Sequence, residues 1–113
     1  TLDLIENGLN AALETGAAVA AVPVKDTIKL ANGNGLISET FQRDKLWAAQ
    51  TPQIFAFDII AKAYEELTAE VTDDAAAVEQ IRCKVKLYMG DYNNIKVTTP
   101  EDLALAEVVA QNI

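Results

Sequence analysis

The run from Ala17 to Val24, which follows directly on Gly16, constrains the fold more than any other stretch of this chain. Its apolarity is continuous rather than alternating, the pattern of a strand covered on both faces, as parallel strands usually are. It is the most apolar run present and falls far short of the roughly 18 consecutive apolar residues of a membrane span. It therefore reads as a buried strand. Pro23 lacks a backbone donor, so the chain is expected to leave the sheet there. Ahead of the strand, Thr1 can cap a helix whose apolar residues Leu2, Ile5, Leu9, Ala12 and Leu13 recur at helical spacing and stop near Gly16.

Beyond the strand, Thr27–Ala31 and Gly35–Thr40 flank Asn32-Gly33-Asn34-Gly35. Asn-Gly between such segments signals a hairpin, because both residues tolerate positive φ. This hairpin has few large apolar groups and cannot be stable alone, so it is expected to pack on something else, a partner subunit being one candidate. Leu46–Phe55 brings Trp47 and Phe55, read as core aromatics, around Gln50-Thr51-Pro52-Gln53. Asp58 to Glu70 reads as an amphipathic helix with Ile59, Ile60, Ala63 and Leu67 on its buried stripe. Thr72 begins another helix, with Asp73 and Asp74 in the first turn where the dipole favours acids. Val85, Leu87 and Met89 alternate with Lys84, Lys86 and Tyr88 as a half-exposed strand. Gly90-Asp91 then turns into a strand over Ile95–Thr98. Thr99, Pro100, Glu101 and Asp102 follow the preferred order of a helix start. The result is an α/β reading, suited to the second half of a doubly wound sheet whose ligands gather at strand ends.

The 113 residues carry nine cations and seventeen anions, for a formal net charge of -8. That balance argues against nucleic-acid and membrane surfaces as partners. It leaves room for an anionic substrate held by a few local cations. There is no histidine, which removes the commonest general base and metal ligand. The single cysteine, Cys83, cannot form an internal bridge and fits a reducing compartment. Thr1 stands first where a full-length chain would start with Met, and no signal-peptide pattern is present. The chain reads as part of a longer fold.

Lys96 is the first candidate for chemistry. With Asn94 and Thr98 on the same face of the expected strand, it could line a crevice for a phosphate. Spacing alone favours the blander reading, a solvated lysine on an edge strand. Arg43 closely follows the hairpin, and its guanidinium could grip a phosphate in a two-pronged geometry. The bland alternative is a surface pair with Asp44, Glu39 or Asp26. Thr27, Thr51 and Thr72 sit where elements begin or turn, and local capping accounts best for Thr72. Asp73 and Asp74 could be metal ligands, but helix-start acids are common. Asn32–Gly35 lacks the strand-before, helix-after context of a phosphate-cradling loop.

Taken together, Pro23–Lys29, Gln42–Trp47, Gln50–Phe55, Thr72–Ala75 and Asn94–Leu103 resemble, in order, the 2-C-methyl-D-erythritol 4-phosphate cytidylyltransferases. The resemblance spans most of the chain beyond the first helix. It implies a Rossmann-like nucleotidyltransferase sheet, of which residues 1–113 form the C-terminal portion, with a β-arm over about 25–43 that clasps a second subunit. It also implies transfer of a cytidylyl group from CTP to the 4-phosphate of a sugar phosphate, with release of pyrophosphate. Under that resemblance Arg43 and Lys96 position the substrate phosphate, and Thr27, Thr51 and Thr72 lie at or near its pocket. Asn94 resembles a position close to the metal. The cofactor implied is Mg²⁺ or another divalent cation, bound mainly by the N-terminal half. That half would also bring the glycine-rich CTP loop, so the 113 residues alone are expected to be inactive. The implied location is the cytoplasm, or a plastid in a plant. Ribitol-5-phosphate cytidylyltransferase shares the Gln-Thr-Pro-Gln and Asn-Ile-Lys-Val-Thr-Thr-Pro patterns and is the nearest alternative. A non-catalytic dimerisation module is an alternative of another class.

Overall fold

A computed structural model describes residues 1–111. Helix α1 (Leu2–Thr15) starts on the Thr1 hydroxyl and ends at Gly16, whose φ of 84° is the left-handed conformation that a glycine adopts without strain. Strand β1 (Ala17–Pro23) follows, with Ala17 to Val22 all buried. A separate ribbon pairs β2 (Lys29–Ala31) with β3 (Ile37–Thr40). A short 3-10 turn at Arg43–Lys45 leads into β4 (Trp47–Phe55). Helices α2 (Phe57–Glu65) and α3 (Asp74–Gln80), strand β5 (Lys86–Met89) and helix α4 (Pro100–Ala110) complete the order.

The main sheet runs β4-β1-β5, with β1 antiparallel to β4 and parallel to β5. The centre strand is thus covered on both faces as its sequence requires, although the sheet is mixed rather than parallel. Register assigns the faces. Ala18 pairs with Ile54 and Ala20 with Tyr88, and both partners pack against Gly8 of α1. Ala17 pairs with Phe55, which joins Ala63, Ala77 and Val78 in the core under α2 and α3. Small residues along β1 let helices approach from both sides. On α1 the closest approach is made by a glycine, so the stripe Leu2, Ile5, Leu9, Leu13 turns outward, Leu13 being 84% exposed.

Several local readings are corrected. The expected hairpin forms, but its tight turn uses Gly35 at φ 76° rather than two left-handed residues, and the Asn32 side chain accepts from the N–H groups of Asn34 and Leu36. Strand β4 was not foreseen, because Thr51-Pro52 interrupts its pattern; the bond between these two residues is cis. Helix α2 stops at Glu65 instead of running to Glu70, with Glu65 and Glu66 placed where the dipole wants cations. The cap of α3 is Asp73, accepting from the N–H of Ala76, and not Thr72. Ile95–Thr98 is not a strand. Its Thr98 N–H goes to the Asp102 carboxylate, as does the N–H of Thr99, instead of to a ladder.

At α4 the expected start is found. Thr99 caps the helix, Pro100 occupies the first turn, and Asp102 completes a capping box. Hydrogen bonds from the Thr98 hydroxyl and N–H, and from Thr99, hold the Asp102 carboxyl below the usual carboxylate range.

Two expectations follow from this packing. A Cβ on Gly8 would lie 2.5 Å from both Ile54 Cδ1 and the Tyr88 hydroxyl, which itself donates to Leu4 O at 3.0 Å. Gly8→Val should therefore cost about 1–3 kcal/mol through overpacking, read as a lower urea midpoint; an unchanged or higher midpoint would contradict the close approach. Because the folded-state pKa of Asp102 is depressed, its contribution is present above the ordinary carboxylate pKa and is lost as pH falls through the folded value. Amide exchange in the first turn of α4 should accelerate on acidification through that range and become pH-insensitive, after correction for intrinsic rates, in Asp102→Asn.

Candidate active site

Between β1 positions Val19 and Ala21 lies one residue, while between their β4 partners Gln53 and Ala49 lie three, Gln50, Thr51 and Pro52. The bulge suits a proline, which has no donor to give a ladder. It also turns the two flanking glutamines to different tasks. The Gln50 amide nitrogen donates to Asp91 O at 2.9 Å, and its oxygen accepts from Asp91 N at 3.3 Å and from Asn94 Nδ2 at 3.4 Å. Asn94 Nδ2 donates as well to Thr51 O. The loop after β5 is thereby tied to the bulge.

Gln53 works on the other side. Its Nε2 donates to Asp73 Oδ2 at 3.0 Å and to Gln50 O at 3.3 Å, and its Oε1 accepts from Ala75 N at 3.1 Å. The first turn of α3 is thus tied to the same bulge. Between the two tethered walls opens a cleft of about 670 Å³, lined by residues that include Thr51, Gln53, Thr72, Asp73, Asn94 and Lys96. It lies beyond the C-terminal end of β5, where α/β sheets gather ligands.

Of the residues singled out from sequence, Thr51, Thr72, Asn94 and Lys96 meet here, although they are spread over four segments. Among the described residues no carboxylate lies within ion-pair distance of Lys96, and the ion pair found joins Lys86 to Glu14 at 3.5 Å. Neither the Thr51 nor the Thr72 hydroxyl is committed to a partner among the described residues. One ammonium and two hydroxyls are therefore available to an anion. Thr98 is not, since its hydroxyl donates to Asp102 at 2.9 Å.

Arg43 and Thr27 do not line this cleft. They belong to the ribbon segment, where every residue from 25 to 43 is exposed. Arg43 makes none of the surface pairs considered for it; its Nη1 donates to Lys25 O at 2.8 Å. Lys25 sits over the Tyr92 ring, 3.8 Å from its centroid, and the Tyr92 hydroxyl donates to Pro23 O at 2.6 Å. The root of the ribbon is thus fastened to the loop that carries Lys96.

Gln50 and Gln53 are the site residues that sequence reasoning passed over. The available signal was two amides around Thr-Pro inside the otherwise apolar Trp47–Phe55. As for a divalent cation, Asn94 spends its amide nitrogen on the bulge and has one oxygen to offer. Among the described residues no three His, Cys, Asp or Glu side chains gather as ligands. These donors do not amount to a cation site by themselves. Among the same residues no helix is long and apolar enough to cross a membrane.

Residues 2–112 match the family described as IspD: 2-C-methyl-D-erythritol 4-phosphate cytidylyltransferase. A protein of that name from Dehalococcoides mccartyi is 51% identical over 105 residues, which are 93% of this chain and 46% of the relative. One from Bacillus licheniformis is 48% identical over 112 residues, 96% of this chain and 48% of the relative. Among solved structures, 4-diphosphocytidyl-2C-methyl-D-erythritol synthase from Anaerococcus prevotii superposes with a TM-score of 0.88 at 34% identity, covering 96% of this chain and 50% of that one. The Thermus thermophilus cytidylyltransferase gives 0.82 at 33% identity, covering 96% and 55%. This chain spans about half the length of the curated relatives it matches. With the match running through both walls of the cleft, the chain belongs to the 2-C-methyl-D-erythritol 4-phosphate cytidylyltransferase family.

Proposed function

We propose that this chain is one portion of an enzyme that transfers a cytidylyl group from CTP to 2-C-methyl-D-erythritol 4-phosphate, releasing pyrophosphate in isoprenoid biosynthesis. The observation that carries this is the convergence of Thr51, Thr72 and Lys96 in one cleft of a chain of that family. The sugar 4-phosphate lies against Lys96 and the two hydroxyls. Its oxygen attacks the α-phosphorus of CTP, the bond from that phosphorus to the bridging oxygen breaks, and pyrophosphate leaves with the electron pair. The attacking oxygen is already ionised, so no general base is needed and the absence of histidine costs nothing.

Charge is the main obstacle. Unit like charges about 4 Å apart repel by roughly 4 kcal/mol at an effective dielectric near 20. Catalysis of this kind consists of neutralising that repulsion and holding the attack in line. Lys96 serves from within the cleft. Arg43 and Thr27 serve from the ribbon, which acts as a β-arm delivering them to the cleft of a second copy in a homodimer. The sheet is part of a Rossmann-like nucleotidyltransferase domain. Its remaining portion holds CTP, with a divalent cation that would help to neutralise the phosphates. Among the described residues no glycine-rich loop joins a strand to a helix, so the isolated segment binds CTP poorly and does not turn it over. The enzyme works in the cytoplasm.

In the full-length enzyme, Lys96→Ala and Arg43→Ala should each lower turnover of the sugar phosphate by about 10²-fold or more, as for other charge-stabilising groups. If the arm acts across the dimer, unfolding and refolding the two inactive variants together restores activity, because a mixed dimer holds one intact cleft. Failure of the mixture to recover would place both residues in the same copy's site. A cytidylyl-transfer assay on the isolated 113 residues should show no turnover, and full activity there would overturn the division of labour.

A further inference from the structure

We propose that Gln53 is a positioning residue that keeps the Asp73 carboxylate out of the anion cleft; the inference rests on the sugar-phosphate reading of that cleft. Asp73 is an anomaly at its position. It lines the cleft beside Lys96, Thr51 and Thr72, so a carboxylate faces the space that a phosphate dianion is to occupy. Its two oxygens are nevertheless both taken. Oδ1 accepts from Ala76 N at 2.8 Å as the cap of α3, and Oδ2 accepts from Gln53 Nε2 at 3.0 Å. The same glutamine accepts from Ala75 N through Oε1, which orients its amide and fixes which end faces Asp73.

The bond to the helix cap alone does not settle where the second oxygen points. One oxygen can stay on the Ala76 N–H while the carboxylate turns about it and presents Oδ2 to the cleft. Gln53 blocks that turn. It also shares the carboxylate's charge with a donor, which matters in a chain of net charge -8 with a single lysine lining the cleft. Two partly buried side chains on neighbouring elements thus hold a negative charge against the wall and leave the Lys96 field unopposed. Thr72, next in sequence to Asp73, is held in place by the same bond.

The test uses four full-length proteins: wild type, Gln53→Ala, Asp73→Asn and the double variant. Gln53→Ala frees the carboxylate, and the KM for the sugar phosphate should rise roughly tenfold through repulsion between like charges. The KM for CTP should change much less. Added salt should shrink the penalty, since screening weakens the repulsion. Asp73→Asn in the Gln53→Ala background should bring the KM back towards wild type, because the asparagine oxygen still caps α3 while the charge is gone. A glutamine with a merely structural role predicts the opposite: the double variant is as impaired as Gln53→Ala or worse, and salt changes nothing. Either result overturns the proposal. If the wild-type enzyme itself fails to turn over the sugar phosphate, the enzymatic reading has failed. The four proteins are then titrated with inorganic phosphate. Weaker binding by Gln53→Ala alone supports the guard on the cleft, and equal binding by all four refutes it.

Discussion

Three residues cannot face one across a ladder without sending their polar groups elsewhere, and Gln50–Pro52 of β4 are in that position opposite Ala20. The groups released are what build the cleft. Thr51 O accepts from Asn94, and Gln50 O accepts from Gln53. The Gln50 and Gln53 amides reach to the loop after β5 and to the start of α3. Each wall of the cleft is irregular backbone that would have little reason to hold its place alone. Both are fixed by reference to a strand that is itself anchored on the most buried element of the molecule. Side chains on loops gain the precision of a sheet in this way, which is what positioning catalysis requires.

The same economy governs charge. Three of the carboxylates along the segments that form or follow the cleft are bonded to nearby backbone. Asp91 accepts from Asn93 N at 2.8 Å, Asp73 caps α3, and Asp102 gathers donors from Thr98 and Thr99. Such bonds do not cancel the negative charge, but they fix where it points. Among the described residues Lys96 is left without a carboxylate partner, in a chain where anions outnumber cations seventeen to nine. Short-range placement can outweigh the overall field because interactions between exposed charges fade beyond about 8–10 Å at physiological salt.

How much of this was legible in the sequence depends on the range of the interaction concerned. The start of α4, the stop of α1 at Gly16 and the burial of Ala17–Val22 were readable because each is dictated by neighbours a few residues away. Strand β4 was not readable, since its proline sits at a bulge that exists only in relation to β1. The failed strand at Ile95–Thr98 has the opposite cause: among good β-forming residues the two end donors are claimed locally, Ile95 N by Asn93 O and Thr98 N by the Asp102 carboxylate. Within the site, Lys96, Thr51 and Thr72 were singled out from local pattern, but only the family resemblance assigned them to one pocket, because their meeting point is a tertiary fact. The glutamines were quoted as marks of the family and given no role. Their partners, Asp91 and Asp73, stand 41 and 20 positions away in the sequence.

One lysine and two hydroxyls do not complete a site for joining a phosphate dianion to a triphosphate. The charges to be brought together exceed what a single ammonium offsets, and the cleft is open rather than closed over. Arg43, the other cation implied in phosphate positioning, stands on an exposed ribbon fastened through Lys25 and Tyr92 to the loop bearing Lys96. A cation in that place neutralises nothing in its own cleft and is well placed to serve another surface. The electrostatic requirement of the reaction and the exposed position of the ribbon thus lead to the same arrangement. Under the proposed reading, the cleft is one wall of a site whose remaining cations come from a second copy and from the rest of the enzyme.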